Sequence, residues 1–149
     1  MYKRLELHNH TNESDAVFTC KELTDFMVAD QVDAFALTDH NTISGHCKIK
    51  NYLKEHPQPI DFIPGMEYTT YYGHILCLNL TEYVPWENIN RHKPELLFRA
   101  ARKKGALVGV AHPYSFGWPF AQGCRFEMTI TDYSCCDFIE IFNNPEPLH

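Results

Sequence analysis

Ala34-Phe35-Ala36-Leu37-Thr38-Asp39-His40 is the stretch that decides the fold class of this chain. Four apolar residues make a short strand-like run, and Asp39-His40 follow it directly. Upstream, Arg4 to His8 is a similar run, ending in His8-Asn9-His10. Between the two, Thr19-Cys20-Lys21-Glu22 fits a capping box. It opens a helix to about Asp30, with Leu23, Phe26 and Met27 at helical spacing. Downstream, a helix over about Gly45 to Glu55 carries Ile49, Tyr52 and Leu53 and ends before Pro57 and Pro59. A third strand, Phe62-Ile63, runs into Pro64-Gly65, where glycine allows a sharp turn. His74 to Leu80 is apolar enough to be a strand buried on both faces. Pro94 starts a helix to about Lys104, capped by Gly105, with Arg102, Lys103 and Lys104 at the negative end of its dipole. Strands over Ala106 to Ala111 and Phe138 to Phe142 follow. Strands alternating with helices predict an α/β fold, a mostly parallel sheet or barrel, in a single domain over residues 1–149.

The metal-ligating residue types fall where those strands end. Residues i and i+2 of an extended segment point the same way, so His8 and His10 can reach one metal. Asp39-His40 follow the second strand, Glu67 the third and His112 the fifth. Pro113 biases His112 toward an extended backbone. In parallel α/β folds this edge is where active sites form. A lone His-x-His is a weak signal, but its repetition across strands points to a shared metal site rather than scattered structural histidines.

Other residues carry two readings. Asp15 is a ligand or a turn former. Asp39 orients a histidine or shapes a turn. His74 is a ligand or a core histidine satisfied by backbone. Glu140, in an apolar strand, reads as pointing away from the metals. Asn143 and Asn144 follow the last strand, and Asn143 suits either a partner to a metal-binding side chain or a substrate-facing role. Arg125 holds a substrate phosphate or is a surface cation, the second being the plainer reading, and His46, His56 and His92 read as solvated. Phe116, Trp118 and Phe120 pack on the barrel or wall the pocket. The six cysteines show no metal-binding spacing and read as small buried hydrophobes in a reducing cell. No apolar run approaches the ~20 residues of a membrane span, and the N-terminus has no signal-peptide character, so a cytoplasmic location is expected. A net charge of −6 disfavours an extended nucleic-acid surface but not a small phosphorylated substrate, because bound metals add positive charge.

Together, Leu7-His8-Asn9-His10-Thr11 with Ser14-Asp15, Leu37-Thr38-Asp39-His40-Asn41-Thr42, Pro64-Gly65-Met66-Glu67, Gly73-His74-Ile75-Leu76, Ala111-His112-Pro113 and Phe138-Ile139-Glu140-Ile141-Phe142-Asn143 resemble the PHP (polymerase and histidinol phosphatase) family. The resemblance implies a distorted, TIM-like (β/α)7 barrel holding two or three Zn, Mn or Fe ions. By position, it implies the ligands His8, His10, Asp15, His40, Glu67, His74 and His112, with Glu67 bridging two ions and with Glu67, His40 and His112 at the catalytic centre. It implies hydrolysis of a phosphate mono- or diester by metal-activated hydroxide, on a nucleotide, oligonucleotide or metabolite phosphate. Family members continue to a final Asp-x-His pair, whereas this sequence stops at His149 without one. The barrel is therefore expected to be incomplete at its C-terminus, with weak catalysis and an edge strand that a second copy could cover. The alternatives are an amidohydrolase-type enzyme, whose barrels also begin with His-x-His, and a non-catalytic metal-binding scaffold. The strands here end in no metal-bridging lysine, which favours the phosphoesterase.

Overall fold

The computed structural model describes residues 1–114 and 125–141. Its elements are β1 (Leu5–Glu6), α1 (Cys20–Ala29), β2 (Ala34–Leu37), α2 (Gly45–Glu55), β3 (Asp61–Thr70), β4 (Gly73–Leu78), α3 (Glu95–Lys103), β5 (Leu107–Val110) and β6 (Phe138–Ile139), with a 3-10 turn at Tyr133–Cys135 before β6. The strands lie side by side in chain order, β1-β2-β3-β4-β5-β6.

The expected α/β class is found, but the sheet is less parallel than the alternation implies. Strands β1–β2, β2–β3 and β5–β6 pair parallel, whereas β4 runs antiparallel to both neighbours. A seven-stranded barrel is not what the described residues form; they make six strands. The inversion has a local cause. Only Tyr71-Tyr72 separate Thr70 from its partner Gly73, and a parallel return needs a crossover of about a dozen residues or more.

Strand β3 also differs from expectation. It does not stop at Pro64-Gly65 but continues to Thr70. Gly65 serves close approach, not a turn: a Cβ there would lie 2.6 Å from the Cys77 carbonyl oxygen on one side and 3.3 Å from that of Leu37 on the other. Strand β4 is buried along its whole length, as its composition suggests.

The sheet is strongly curled. Laid flat, five strand spacings would put β1 and β6 about 24 Å apart. Yet Glu140, just past β6, reaches His8, just past β1, at 2.8 Å. The inner face of this curve is a layer of Ala36, Leu76, Leu78 and Ala111, with Leu7, Ile63 and Phe138 packed against it. Gly109 makes room for that layer, since a Cβ on it would come within 2.3 Å of the Phe138 ring, its neighbour in register.

Two apolar layers cover the outside. Helices α1 and α2 pack Cys20, Leu23, Met27 and Ile49 against Phe35 and Leu37. The capping box at the start of α1 is formed: Thr19 Oγ1 accepts from the Glu22 backbone at 3.1 Å, and the Glu22 carboxylate accepts from the Thr19 backbone at 2.9 Å. Phe26, expected on the buried stripe, is exposed, and Thr24 takes that position instead. Helix α3 packs Leu97, Phe98 and Ala101 onto Met66, Ile75, Cys77 and Val108. No helix among the described residues is long and apolar enough to cross a membrane.

Candidate metal centre

Glu67 sits mid-strand in β3 and is fully buried. Five imidazoles surround its carboxylate. Oε2 lies 2.8 Å from His8 Nε2, 3.1 Å from His10 Nε2 and 3.5 Å from His40 Nδ1. Oε1 lies 2.7 Å from His74 Nδ1 and 2.9 Å from His112 Nε2. A carboxylate offers about four lone-pair sites, so the four nearer nitrogens fill it and His40 is a fifth, more distant neighbour.

The local fold explains the convergence. Along the extended segment after β1, Asn9 points opposite to its neighbours and donates to the carbonyls of Glu6 and Ala36, both at 3.0 Å. That leaves His8 and His10 facing the site together. His40 lies beside Glu67 in a parallel bridge. His74 arrives because β4 is inverted: the start of an antiparallel strand lies at the edge where its parallel neighbours end. His112 has φ +26°, not the extended backbone expected before Pro113. Its N–H is turned onto Glu140 Oε2 at 2.8 Å.

The outward nitrogens of the rings differ. His8 Nδ1 meets Glu140 Oε1 at 2.8 Å. His40 Nδ1 also contacts Thr69 Oγ1, and its Nε2 lies 3.4 Å from the exposed Asp15. His10 Nδ1 and His74 Nε2 are buried with no hydrogen-bond partner among the described residues. Buried polar nitrogens left unpaired are costly, and a cation is the partner an imidazole lone pair accepts. The donor set suits this: His8, His10 and Glu67; His10, Asp15 and His40; and His40, Glu67 and His74 each bring three ligand atoms within 4.8 Å of one another. These sets share members, so they form one continuous centre.

Electrostatics point the same way. Burial alone would raise the Glu67 pKa, but hydrogen bonds from His10, His112, His74 and His8 outweigh it and hold the carboxyl well below its usual range. Burial lowers the His8 pKa, yet its bonds to Glu140 and Glu67 win and push it up to about 9. Burial lowers the His40 pKa. Burial also opposes ionisation of Glu140, but the His8 contact keeps it charged, with its pKa lowered. Divalent cations at this centre would supply positive charge against the Glu67 and Glu140 carboxylates.

All seven residues expected as ligands are brought to this edge, although Asp15 stays mostly exposed and lies on its rim beside His10 and His40. Asp39 orients no histidine directly. It is buried, and accepts from the Thr11 N–H at 2.6 Å, the Thr11 hydroxyl at 2.7 Å and the Ser14 hydroxyl at 2.7 Å. It thereby pins the loop that carries His10 and Asp15. Glu140 is the clear correction: it points into the centre, not away. The alternation Phe138-in, Ile139-out carries the signal, because Phe138 is on the inner face and Glu140 is two residues on.

His46 is buried rather than solvated, and its Nε2 donates to the Gly65 carbonyl at 2.7 Å; burial lowers its pKa. His56, His92 and Arg125 are exposed, as expected. Cys20, Cys77 and Cys135 are buried, whereas Cys47 is exposed, so small-hydrophobe packing does not account for it. Phe116, Trp118, Phe120, Asn143 and Asn144 lie outside the described residues.

Comparison with known proteins identifies the family of this chain. The chain is 28% identical to an uncharacterized protein of Methanocaldococcus jannaschii over 94% of its own length and 81% of that protein. It is 30% identical to the 5'-3' exoribonuclease Rnm of Escherichia coli over 70% of its length, which spans 40% of that enzyme. Among solved structures, it superimposes with a TM-score of 0.70 at 22% identity on a two-domain Bacteroides vulgatus protein described as containing a predicted PHP-like metal-dependent phosphoesterase; the match covers 93% of this chain and 44% of that one. Residues 6–112, from the end of β1 through His112, match the sequence pattern of the PHP domain, and the chain belongs to that family.

Proposed function

We propose that this chain hydrolyses a phosphate ester at the Glu67 centre, using divalent ions held by His8, His10, Asp15, His40, Glu67, His74 and His112. The observation that carries this reading is the crowding of five imidazoles on one buried carboxylate, with His10 Nδ1 and His74 Nε2 unpartnered. Divalent ions in such a centre lower the pKa of water toward neutrality and offset charge on the phosphate oxygens.

The chain's own residues do the positioning. Glu67 sets its two oxygens against different histidines, and so could serve two neighbouring ions at once. His40 and His112, at its two oxygens, join it as the residues that carry the reaction. Asp39 holds the His10–Asp15 loop in place, and exposed Asp15 leaves that side of the centre open to a substrate. The likeness to an exoribonuclease supports a nucleotide phosphodiester as the first substrate to try, and the net charge of −6 favours a short one over a long polymer.

The test is elemental analysis of protein purified without chelators, followed by hydrolysis assays with Mn. Substrates would be a short 5'-phosphorylated RNA, a generic diester and a generic monoester. Expected are at least two ions per chain and turnover abolished by chelation. Absence of stoichiometric metal, even after reconstitution, sinks the reading. Bound metal without turnover of any phosphoester leaves the scaffold function instead.

A further inference from the structure

We propose that Glu140 is a positioning residue that locks two histidines of the centre at once: the ring of His8 and the backbone of His112. Its two oxygens divide the work. Oε1 faces His8 Nδ1 at 2.8 Å, and Oε2 accepts the His112 N–H at 2.8 Å. With Nδ1–H donated to the carboxylate, the nitrogen that His8 turns to the centre is Nε2, which lies against Glu67 and would be the one to hold a metal once a cation displaces its proton. A histidine without that partner can place its proton on either nitrogen and rotate.

The second bond addresses a different problem. His112 holds φ +26°, a conformation that side chains other than glycine rarely adopt. Something must hold it there, and the bond from its own N–H to Glu140 does so. The His8 and His112 rings then stack, with centroids 5.8 Å apart. One carboxylate therefore joins the ends of β1, β5 and β6 across the mouth of the curled sheet.

This inference rests on the metal reading above, and the experiment separates the two. Zinc affinity is measured by competition with a chelating dye for wild type, Glu140→Gln and Glu140→Ala. Glutamine fills the same space but cannot accept two hydrogen bonds from its single oxygen and keep the same arrangement. Asp137→Asn is the structural control: its carboxylate also accepts a backbone N–H, from Val108 at 2.9 Å, but before β6 and away from the centre.

Both Glu140 variants are expected to bind zinc about 10- to 100-fold more weakly, as for other groups that orient metal-bound histidines, and Asp137→Asn close to wild type. Long-range nitrogen spectra of the zinc-loaded proteins give a readout that simple loss of stability would not move. Wild-type His8 should carry its hydrogen on Nδ1, and that form should be depleted in Glu140→Gln. If wild type binds no zinc, the metal reading fails and this inference with it. If wild type binds and Glu140→Gln loses less than tenfold, or keeps the wild-type His8 form, the positioning role is wrong and the metal reading stands.

Discussion

The two oxygens of Glu67 face two differently built halves of the sheet. Oε2 meets His8, His10 and His40, all from the parallel half of β1 and β2 with their covering helices α1 and α2. Oε1 meets His74 and His112, from the half in which β4 is inverted. The first half follows the strand–helix alternation of an α/β fold, so each strand's end delivers a histidine. The second half delivers one at the start of a reversed strand and one on a strained backbone. What matters to the centre is therefore which edge a residue reaches, not the direction of the strand that carries it. Strand β3 is the seam, paired parallel on one side and antiparallel on the other.

The sharpest way to break the comparison is at the seam. Glu67→Gln should disconnect both halves from the metals and weaken zinc binding by more than about 100-fold, since losing an outer partner alone costs up to that much. Asp39→Asn should cost less, because the Asp39 carboxylate acts on the centre through the Thr11–Ser14 loop. Equal metal loss in the two variants, by elemental analysis, would remove Glu67 from its bridging place.

A smaller effect should come from the inner layer of the second half. Gly109→Ala places a methyl within 2.3 Å of the Phe138 ring. Such overpacking costs about 1–3 kcal/mol, to be read as a lower urea midpoint. A midpoint equal to wild type would mean that Phe138 gives way freely.

The outer layer of the same half should show a pH dependence. The Glu95 side chain, at the start of α3, is buried and accepts from the backbone N–H of Thr131 and Asp132 and from the Thr131 hydroxyl. Burial would raise its pKa, but those bonds win and lower it to about 2. A carboxylate whose folded pKa lies below its unfolded value contributes stability that is present above about 4.5 and lost as pH falls toward 2. Glu95→Gln should therefore destabilise the protein near pH 6 by about 2 kcal/mol, and the gap from wild type should narrow as the pH approaches 2. A gap that stays constant with pH would assign the contact to packing alone.

The smallest effect belongs to the parallel half. Thr19→Ala removes one arm of the α1 capping box. It should cost about 1 kcal/mol and leave zinc affinity unchanged, because α1 supplies no residue to the centre. A parallel drop in metal binding would show that the helix layer tunes the site.

The legible residues in this chain answer to local rules. His8-x-His10 announces itself through the two-residue repeat of an extended segment, and α1 through its Thr-x-x-Glu cap. His40 and His112 stand where apolar runs stop. Glu67 is identifiable by type, although β3 does not end before it. Tyr68-Thr69-Thr70, residues that favour strands, are the sign in the sequence that β3 continues.

What only the tertiary structure decided is direction, facing and partnership. A six-residue apolar strand reads the same whether it runs up or down the sheet; the Tyr71-Tyr72 turn and the neighbours of β4 settle its direction, and so bring His74 to the centre. Glu140 follows a strand short enough that either face could turn inward, and only the curl that carries β6 back to β1 puts His8 within its reach. His46 and Asp39 are buried because distant segments, the Gly65 carbonyl and the Thr11–Ser14 loop, supply their partners. Periodicity and capping act within a few residues and are written locally, whereas a hydrogen bond between residues 132 apart exists only once the sheet has curled.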